Sequence, residues 1–364
     1  MPVGPTSDVW SCPERVDAPT SGSGTQRSHR PIRPVDRTRG QVRDTLRVVT
    51  LRFGAGTFGA GRDDLVATVR KTEALGYDTF LLPDHLFQQL APIPALAVVA
   101  ELTDRLRIGT WVLCNDFHHP VIVARELATL DALSGGRLDV GLGAGYIRLE
   151  YDNAGIPFET GGRRFRRLQD SVAVIKALWQ DGPVTLDNEH FHLRDQVGSP
   201  LPVQRPHPPL LLGGGGPKML TWAATEADIV SIIPAAATTG GLLASELTVA
   251  SLQRKIALVQ AAAPERFARL TLNVGLWDMV VTNDRRSAAR AWLDDLRSGK
   301  RVFWNFDQEM TEDDLLSSPY LGFGTPAEIA AHIEQVHATT GVSYYTIFPH
   351  LVDAFGPVLA LIKN

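Results

Sequence analysis

Residues 106–158 decide the fold, and they read LRIGTWVLCNDFHHPVIVARELATLDALSGGRLDVGLGAGYIRLEYDNAGIPF. Two apolar runs, 107–113 and 138–142, flank a segment in which His119 and Pro120 begin a helix. Apolar runs without polar alternation are typical of parallel strands that are covered on both faces. The stretch therefore predicts a strand–helix–strand unit, with titratable groups after the first strand and glycines after the second.

The same rhythm continues along the chain and predicts eight strands, at 46–53, 79–82, 107–113, 138–142, 209–213, 229–233, 270–281 and 343–348. Eight such units favour an α/β fold of the closed (β/α)8 TIM-barrel type. A dinucleotide-binding doubly wound sheet is the alternative, because residues 54–59 fit G-x-G-x-x-G. That motif needs an acidic residue at the end of the second strand, where Pro83 stands, so we reject it.

Three segments depart from this rhythm. Residues 1–44 are rich in proline and arginine and poor in aliphatic clusters, which predicts a disordered extension before a barrel domain at 45–364. Residues 183–208 predict a small hairpin with a proline-rich tail. Residues 297–324 carry an unusual density of aromatic side chains. Long insertions of this kind form either walls of a barrel active site or packing over its rim.

Composition excludes several classes of function. Lysine and arginine total 36 against 40 acidic residues, a net charge of −4, so a polybasic binder of nucleic acid or membrane is not expected. Cys12 and Cys114 are too few for a disulfide framework, and no apolar run approaches a membrane span. We expect a cytoplasmic protein with a small-molecule substrate and leave homodimer formation open.

Glycines after the fifth strand predict a phosphate site. Gly213 to Gly216 leave their backbone N–H groups accessible, and Pro217 begins a helix whose amino terminus attracts anions. Lys218 adds a positive charge.

Titratable groups follow the second and third strands. His85 comes directly after Asp84, and a carboxylate that fixes an imidazole suits general acid–base catalysis. Asp116, His118 and His119 lack the spacing of a metal site, so no metal is predicted.

Four stretches together resemble the bacterial-luciferase-like flavin monooxygenase superfamily over residues 46–362, and most closely its branch that uses the deazaflavin coenzyme F420. They are EALGYDTFLLPDHL (73–86), the stretch 106–158 quoted above, RPHPPLLLGGGGPKMLTWAATEADIVSIIP (205–234) and GTPAEIAAHIEQVHATTGVSYYTIF (324–348).

The resemblance implies a flavin-type ring at the barrel mouth, supported by a cis peptide bond between Trp111 and Val112. It assigns the catalytic Asp–His pair to Asp84 and His85. The cofactor-binding positions that it implies are Trp111, Val112, Gly145, Tyr146, Gly215 and Gly216. The positions after the predicted strands add Cys114, Gly143, Gly214, Pro217 and Lys218 as cofactor-binding candidates. The family often has a small residue where this chain has Trp111. Some relatives place a threonine on the phosphate at the end of the sixth strand, where Ser231 and Ile233 are the nearest positions here.

We therefore expect an F420-dependent oxidoreductase that transfers a hydride to or from a small organic substrate, with His85 handling the proton. One alternative is an FMN-dependent monooxygenase, and another is a non-catalytic flavin-binding protein. A basic groove for the polyglutamate tail of F420 would favour the F420-dependent oxidoreductase over these alternatives. Its candidate residues are Arg163, Arg164, Arg166 and Arg167.

Overall fold

The computed structural model describes residues 51–57, 61–87, 89–237 and 241–363. These described residues fall within one compact unit. The predicted extension at 1–44 and the first residues of the predicted first strand lie outside the described residues. The boundary between extension and barrel stays a prediction.

Fifteen strands are present in the described part of the chain. In chain order they are β1 (Arg52–Gly56), β2 (Thr79–Leu82), β3 (Arg107–Thr110), β4 (Leu113–Cys114), β5 (Leu138–Gly143), β6 (Pro183–Asp187), β7 (His192–Val197), β8 (Leu210–Gly214), β9 (Ile229–Ile232), β10 (Leu242–Leu243), β11 (Thr271–Leu276), β12 (Asp278–Val281), β13 (Trp304–Asn305), β14 (Leu321–Gly324) and β15 (Val342–Ile347).

Twelve α-helices accompany them in the same described residues. They are α1 (Arg62–Ala74), α2 (Pro92–Leu102), α3 (Pro120–Leu133), α4 (Arg148–Ala154), α5 (Gly161–Leu178), α6 (Pro217–Glu226), α7 (Val249–Ala262), α8 (Pro264–Phe267), α9 (Arg285–Arg297), α10 (Glu312–Leu316), α11 (Pro326–Thr340) and α12 (Val352–Lys363).

Eight parallel strands close into a barrel. Neighbours pair in the order β3, β2, β1, β15, β11, β9, β8, β5, and β5 returns to β3 through Ile108 and Leu138. The short β4 continues the third position by pairing with β5. The predicted (β/α)8 barrel is therefore confirmed, and the carboxyl ends of all eight strands meet at one mouth.

Glycines inside the barrel make room for large side chains. A Cβ on Gly54 would lie 2.7 Å from Leu81 Cδ1 and 2.9 Å from the Tyr344 hydroxyl. The predicted first strand ended at Phe53, but β1 runs on to Gly56. Two glycines of the rejected dinucleotide motif thus lie in a barrel strand, which supports that rejection.

The helices pack as the sequence predicts. On α5, Leu168, Val172 and Ile175 form a buried face against the barrel. Before α11, Thr325 and Glu328 form a reciprocal capping box. Such caps satisfy amide groups that the first turn leaves unpaired.

The strand predicted at 270–281 is divided. β11 lies in the barrel, whereas β12 pairs with β14 outside it, and Trp277 stands at the break. Continuous apolar character does not reveal such a bend, because both halves are buried on at least one face.

The two insertions differ. β6 and β7 form the predicted antiparallel hairpin, although the second strand starts at His192. The 297–324 insertion contains β13, α10 and β14, and its aromatic residues divide by burial. Tyr320 is fully buried, Trp304 is half-buried, and Phe303 and Phe306 are exposed.

Among the described residues, no helix combines the length and the apolar character needed to cross a bilayer.

Candidate active site

The predicted site residues lie at the barrel mouth, at the ends of the strands or in the loops that follow them. The loops after β2, β3, β5 and β8 all begin at this end, because parallel barrel strands share one direction. They carry Asp84, His85, Trp111, Val112, Cys114, Gly143, Gly145, Tyr146, Gly214, Gly215, Gly216, Pro217 and Lys218.

The peptide bond between Trp111 and Val112 is cis, as the resemblance implied. The segment lies close against β5. A Cβ on Gly143 would stand 2.6 Å from Val112 Cγ2, and a Cβ on Gly141 would stand 2.1 Å from the Thr110 carbonyl oxygen. Gly143 is therefore needed for this close approach of two strands. Its predicted contact with a cofactor stays a prediction.

The Trp111 side chain lies across the top of the barrel interior. Its Nε1 donates to Ser231 Oγ at 3.3 Å, and Ser231 donates to Asn273 Oδ1 at 2.7 Å. The Phe348 ring meets the indole edge-on, with 5.4 Å between centroids. Ser231 thus belongs to an internal polar chain, which gives its hydroxyl a role other than the phosphate contact of some relatives.

Asp84 links the loop after β2 to Cys114 and His118. Its Oδ2 accepts a hydrogen bond from the Cys114 backbone N–H at 3.0 Å and contacts His118 Nε2 at 2.7 Å. The hydrogen bonds of Asp84 thus lead to Cys114 and His118, as expected where neighbouring side chains in an extended segment point in different directions. Its role in catalysis stays a prediction. Asp84 joins the loop after β2 to the one after β4.

His85 pairs with Glu150, a residue that sequence reasoning missed. The imidazole Nδ1 lies 3.1 Å from Glu150 Oε1 and 3.3 Å from Oε2. Glu150 Oε1 also accepts from the Leu86 backbone N–H at 2.8 Å. The carboxylate is 4% exposed and the imidazole 20%, so this contact is shielded from solvent but reachable from the mouth.

Aromatic rings flank this imidazole. Phe87 stacks on His85 at 5.9 Å, and Tyr146 meets it edge-on at 6.3 Å. Both rings are exposed at the rim. Tyr146 is therefore close to His85, and its predicted contact with a cofactor stays a prediction.

Cys114 belongs to a buried polar network beneath the mouth. Its Sγ lies 3.3 Å from the Tyr151 hydroxyl, which donates to Asp116 Oδ2 at 3.2 Å. Burial raises the pKa of the Cys114 thiol to about 12, so the thiol is neutral at pH 7. A Cβ on Gly145 would lie 1.9 Å from the Tyr151 hydroxyl, and its φ of +72° also favours glycine.

The four arginines named as candidates for a basic groove all have partners within the protein. Arg164 is buried, where its Nε and Nη2 donate to the carbonyls of Ala144 and Gly145 at 3.2 and 3.3 Å. Arg167 pairs with Asp116 and Glu159. The remaining two arginines also have carboxylate partners, Glu159 for Arg163 and Glu189 for Arg166. These side chains fix the loop after β5 and do not form an unpaired basic surface.

Among the four glycines of the run 213–216, only Gly216 has open space beside it. Gly216 precedes α6 without a side-chain cap, and a Cβ there would meet nothing within 4 Å. Lys218 is exposed on the first turn. By contrast, a Cβ on Gly215 would lie 2.5 Å from Ala235 Cα. The open space before an uncapped helix terminus fits a phosphate group.

A buried ion pair lies behind this cradle, and no sequence pattern predicts it. Lys255 pairs with Glu246 and donates to the Ile233 carbonyl at 2.9 Å. Desolvation lowers the pKa of Lys255. The pair fixes the segment after β9, which includes the Ala235 backbone that packs on Gly215.

Comparison with protein families gives a match to the luciferase-like monooxygenase model over residues 47–343. An uncharacterized protein of Mycobacterium tuberculosis is 31% identical over 186 residues, which cover 44% of this chain and 64% of that protein. An F420-dependent glucose-6-phosphate dehydrogenase of Beutenbergia cavernae is 32% identical over 176 residues, which cover 45% of this chain and 51% of that protein. The chain thus spans about half to two thirds of the length of these relatives.

Solved structures share the fold. An F420-dependent secondary alcohol dehydrogenase in complex with an F420–acetone adduct aligns with a TM-score of 0.67 at 20% identity, covering 86% of this chain and 100% of that one. A long-chain alkane monooxygenase aligns with a TM-score of 0.67 at 14% identity, covering 86% and 91%. At these identities the likeness concerns the fold alone.

Proposed function

The chain belongs to the luciferase-like monooxygenase family, and from this membership we propose that it is an F420-dependent oxidoreductase acting on a small organic substrate. The dehydrogenases among its relatives are named as F420-dependent, which supports the cofactor. The observation that carries the proposal is the meeting, at one barrel mouth, of an imidazole held by a buried carboxylate and an open, uncapped helix terminus.

The residues at the mouth fit such a cofactor. Gly216, Pro217 and Lys218 would hold its phosphate, because a Cβ at Gly216 would fill space that is now open. The segment around Trp111 and Val112 would support its ring. When bound, F420 supplies or takes up a hydride at a ring carbon.

The protein's own part in the reaction is to position groups and to move one proton. As the imidazolium, His85 would donate from Nε2 the proton that accompanies the hydride to the substrate. In the reverse direction, the neutral ring with its proton on Nδ1 would take that proton up at Nε2. Glu150 accepts from the Nδ1 side, so the imidazole keeps one tautomer and orientation. The Phe87 and Tyr146 rings flank the imidazole and would limit access of water to it.

An FMN-dependent monooxygenase is the second candidate, and a specific observation favours keeping it. The four arginines expected to receive the tail of F420 are already paired with carboxylates or carbonyls. A phosphate cradle alone serves FMN as well. A non-catalytic flavin-binding protein has less support, because such a protein needs no carboxylate-held imidazole at the mouth.

The deciding experiment is to express the full chain in a host that makes both FMN and F420, purify it mildly, and identify the retained cofactor by absorbance and mass. Separate titrations with F420 and FMN give the two affinities. Tighter binding of F420 supports the main proposal, whereas exclusive retention of FMN with oxygen consumption replaces it by the monooxygenase. Cytoplasmic location and homodimer formation stay predictions.

A further inference from the structure

A second aromatic group stands on the β11 and β15 side of the mouth. We call it the aromatic wall, formed by Trp111, Trp277, Trp304 and Phe348. Phe348 lies 5.4 Å from Trp111 and 4.4 Å from Trp277, and Trp277 lies 5.5 Å from Trp304, between centroids. All four side chains are half-buried, so the wall is a surface and not part of the closed core.

Three of these rings converge on one point above β11. A Cβ on Gly275 would lie 3.2 Å from atoms of Trp111, Trp277 and Phe348 alike. Gly275 therefore lets the rings approach the barrel backbone closely. Edge-on and offset arrangements of this kind leave ring faces available to a further flat group.

The arginine beside the wall is already paired. Arg301 contacts Asp278 and lies 4.9 Å over the Trp292 ring. Beneath the wall, Ser231 donates to Asn273, and the Asn273 amide donates to Thr346 Oγ1 at 3.1 Å. These groups have little capacity left for a phosphate or a set of sugar hydroxyls.

One donor in the wall lacks an acceptor. Trp277 Nε1 is buried and has no hydrogen-bond partner among the described residues. Burying an N–H without an acceptor destabilises a protein. The Trp111 and Phe348 rings enclose this atom beside Gly275, so an oxygen of a ligand that displaces one of these rings would provide that acceptor.

We propose that the aromatic wall binds the substrate and selects a flat, uncharged carbonyl compound, with its oxygen accepting from Trp277 Nε1. The proposal rests on the oxidoreductase function proposed above and specifies its substrate class. It distinguishes this chain from relatives named as glucose-6-phosphate dehydrogenases, whose substrate is a dianion.

The test uses matched ligands with the full chain, with and without F420. 2-Acetylnaphthalene is flat and uncharged with a carbonyl, 2-naphthoate replaces the ketone by an anion, and naphthalene lacks the oxygen. Equilibrium dialysis gives the dissociation constants. We expect 2-acetylnaphthalene to bind at least about tenfold more tightly than 2-naphthoate, because the anion loses its hydration without gaining a cation.

Variants assign the effect to the wall. Trp277→Phe keeps a ring and removes the donor, so it should weaken 2-acetylnaphthalene about fivefold and leave naphthalene unchanged. Trp304→Leu should weaken all aromatic ligands, by about two- to tenfold. Trp222→Phe is the matched control, because Trp222 packs on Phe165 away from the wall, and it should change neither.

The outcomes separate the two proposals. Equal or tighter binding of 2-naphthoate, or unchanged affinities in both wall variants, overturns the substrate class. Reduction of F420 by glucose 6-phosphate without binding of 2-acetylnaphthalene overturns the aromatic wall and retains the F420-dependent function. Binding of 2-acetylnaphthalene by a chain that does not bind F420 supports the wall and overturns the proposed cofactor.

Discussion

The two ends of the barrel treat charged groups in opposite ways. At the amino-terminal end, Arg52 and Arg107 both contact Asp139, and Arg52 also donates to Thr79 Oγ1 at 2.7 Å. At the mouth, the His85–Glu150 pair faces loops and aromatic rims, and Gly216 leaves a helix terminus uncapped. Charges that satisfy one another stabilise the fold, whereas groups with capacity left over are available to a ligand.

The presence of a large cleft does not by itself identify which end of the barrel binds a ligand. A cleft of about 720 Å³ lies at the amino-terminal end, lined in part by Arg52, Tyr77, Asp78 and Arg107. Several of its charged groups are engaged with one another or with the backbone: Asp78 accepts from the Phe53 N–H at 2.8 Å and pairs with Lys363 at 2.7 Å. The chemistry of the lining, and not its volume, identifies the mouth as the candidate site.

The largest expected effect is a loss of turnover when the His85 imidazole at the mouth is removed. His85→Ala should lower turnover about 10²- to 10⁴-fold while cofactor affinity changes little, because general acid–base assistance is lost and the phosphate cradle is untouched. Rates are measured with reduced F420 and a panel of enones, quinones and nitro compounds. His190→Ala is the matched control, since His190 forms a similar pair with Asp170 at 2.6 Å in the hairpin region. Equal rates for His85→Ala and wild type would exclude His85 as the proton donor, and Tyr146 would be the next candidate.

The next effect is a loss of stability when the ion pairs of Asp139 at the amino-terminal end are removed. Asp139 is 3% exposed, and Asp139→Ala leaves Arg52 and Arg107 without their carboxylate. We expect a loss of about 3 kcal/mol in the free energy of unfolding, at the lower end for a broken buried pair, since both arginines are partly exposed. Denaturant titration measures it, with Asp353→Ala at an exposed ion pair as the control. Turnover per folded molecule should stay unchanged, and a selective loss of activity would contradict the division between the two ends.

Sequence patterns predicted the barrel because its strands are buried on both faces and its helices carry clear terminal signals. The run at 138–142 and the capping box at Thr325 and Glu328 illustrate both. The cis bond at Trp111–Val112 came only from the resemblance, since no local pattern predicts it. Burial, periodicity and caps are local properties, and these were the reliable part of the prediction.

Pairing between distant residues was not predictable in the same way. Asp84 is adjacent to His85 in sequence, yet the partner of His85 is Glu150, which lies 65 residues away on α4. The arginines of α5 look like an open basic face until their carboxylate partners are known. Likewise, four consecutive glycines look equivalent, although a Cβ has open space only at Gly216 among Gly213 to Gly216.

The open space at Gly216 predicts a loss of cofactor affinity that is smaller than the loss of turnover expected for His85→Ala. Gly216→Val should weaken F420 or FMN about 10- to 100-fold, because the side chain blocks charge-assisted hydrogen bonds from the helix terminus. Its φ of −94° and ψ of 152° suit any residue, so the free energy of unfolding should change little. Fluorescence titration measures the affinity. Gly61→Val is the matched control, since Gly61 precedes α1 with equally open space. Unchanged affinity in Gly216→Val would refute the phosphate cradle.

A substitution at Gly215 should affect stability, in contrast to one at Gly216. Gly215→Ala places a Cβ 2.5 Å from the Ala235 backbone, so this variant should lose stability first and affinity only as a consequence. Thermal unfolding and cofactor titration of both variants separate the two causes. Equal stability of Gly215→Ala and wild type would show that the segment after β9 is not fixed against this glycine.

The smallest expected effect concerns the residue that the sequence did not reveal. Glu150→Gln keeps the size of the side chain and removes the charge that accepts from His85 Nδ1. Turnover should fall about tenfold, less than in His85→Ala, because the imidazole remains but is no longer fixed in one tautomer. The ¹⁵N chemical shifts of His85 report this directly: wild type should carry its proton on Nδ1, and the variant should show a mixture. Glu150→Asp should recover part of the rate if the carboxylate positions the imidazole. An unchanged tautomer in Glu150→Gln, with a loss confined to stability, would reduce Glu150 to a support for the Leu86 backbone.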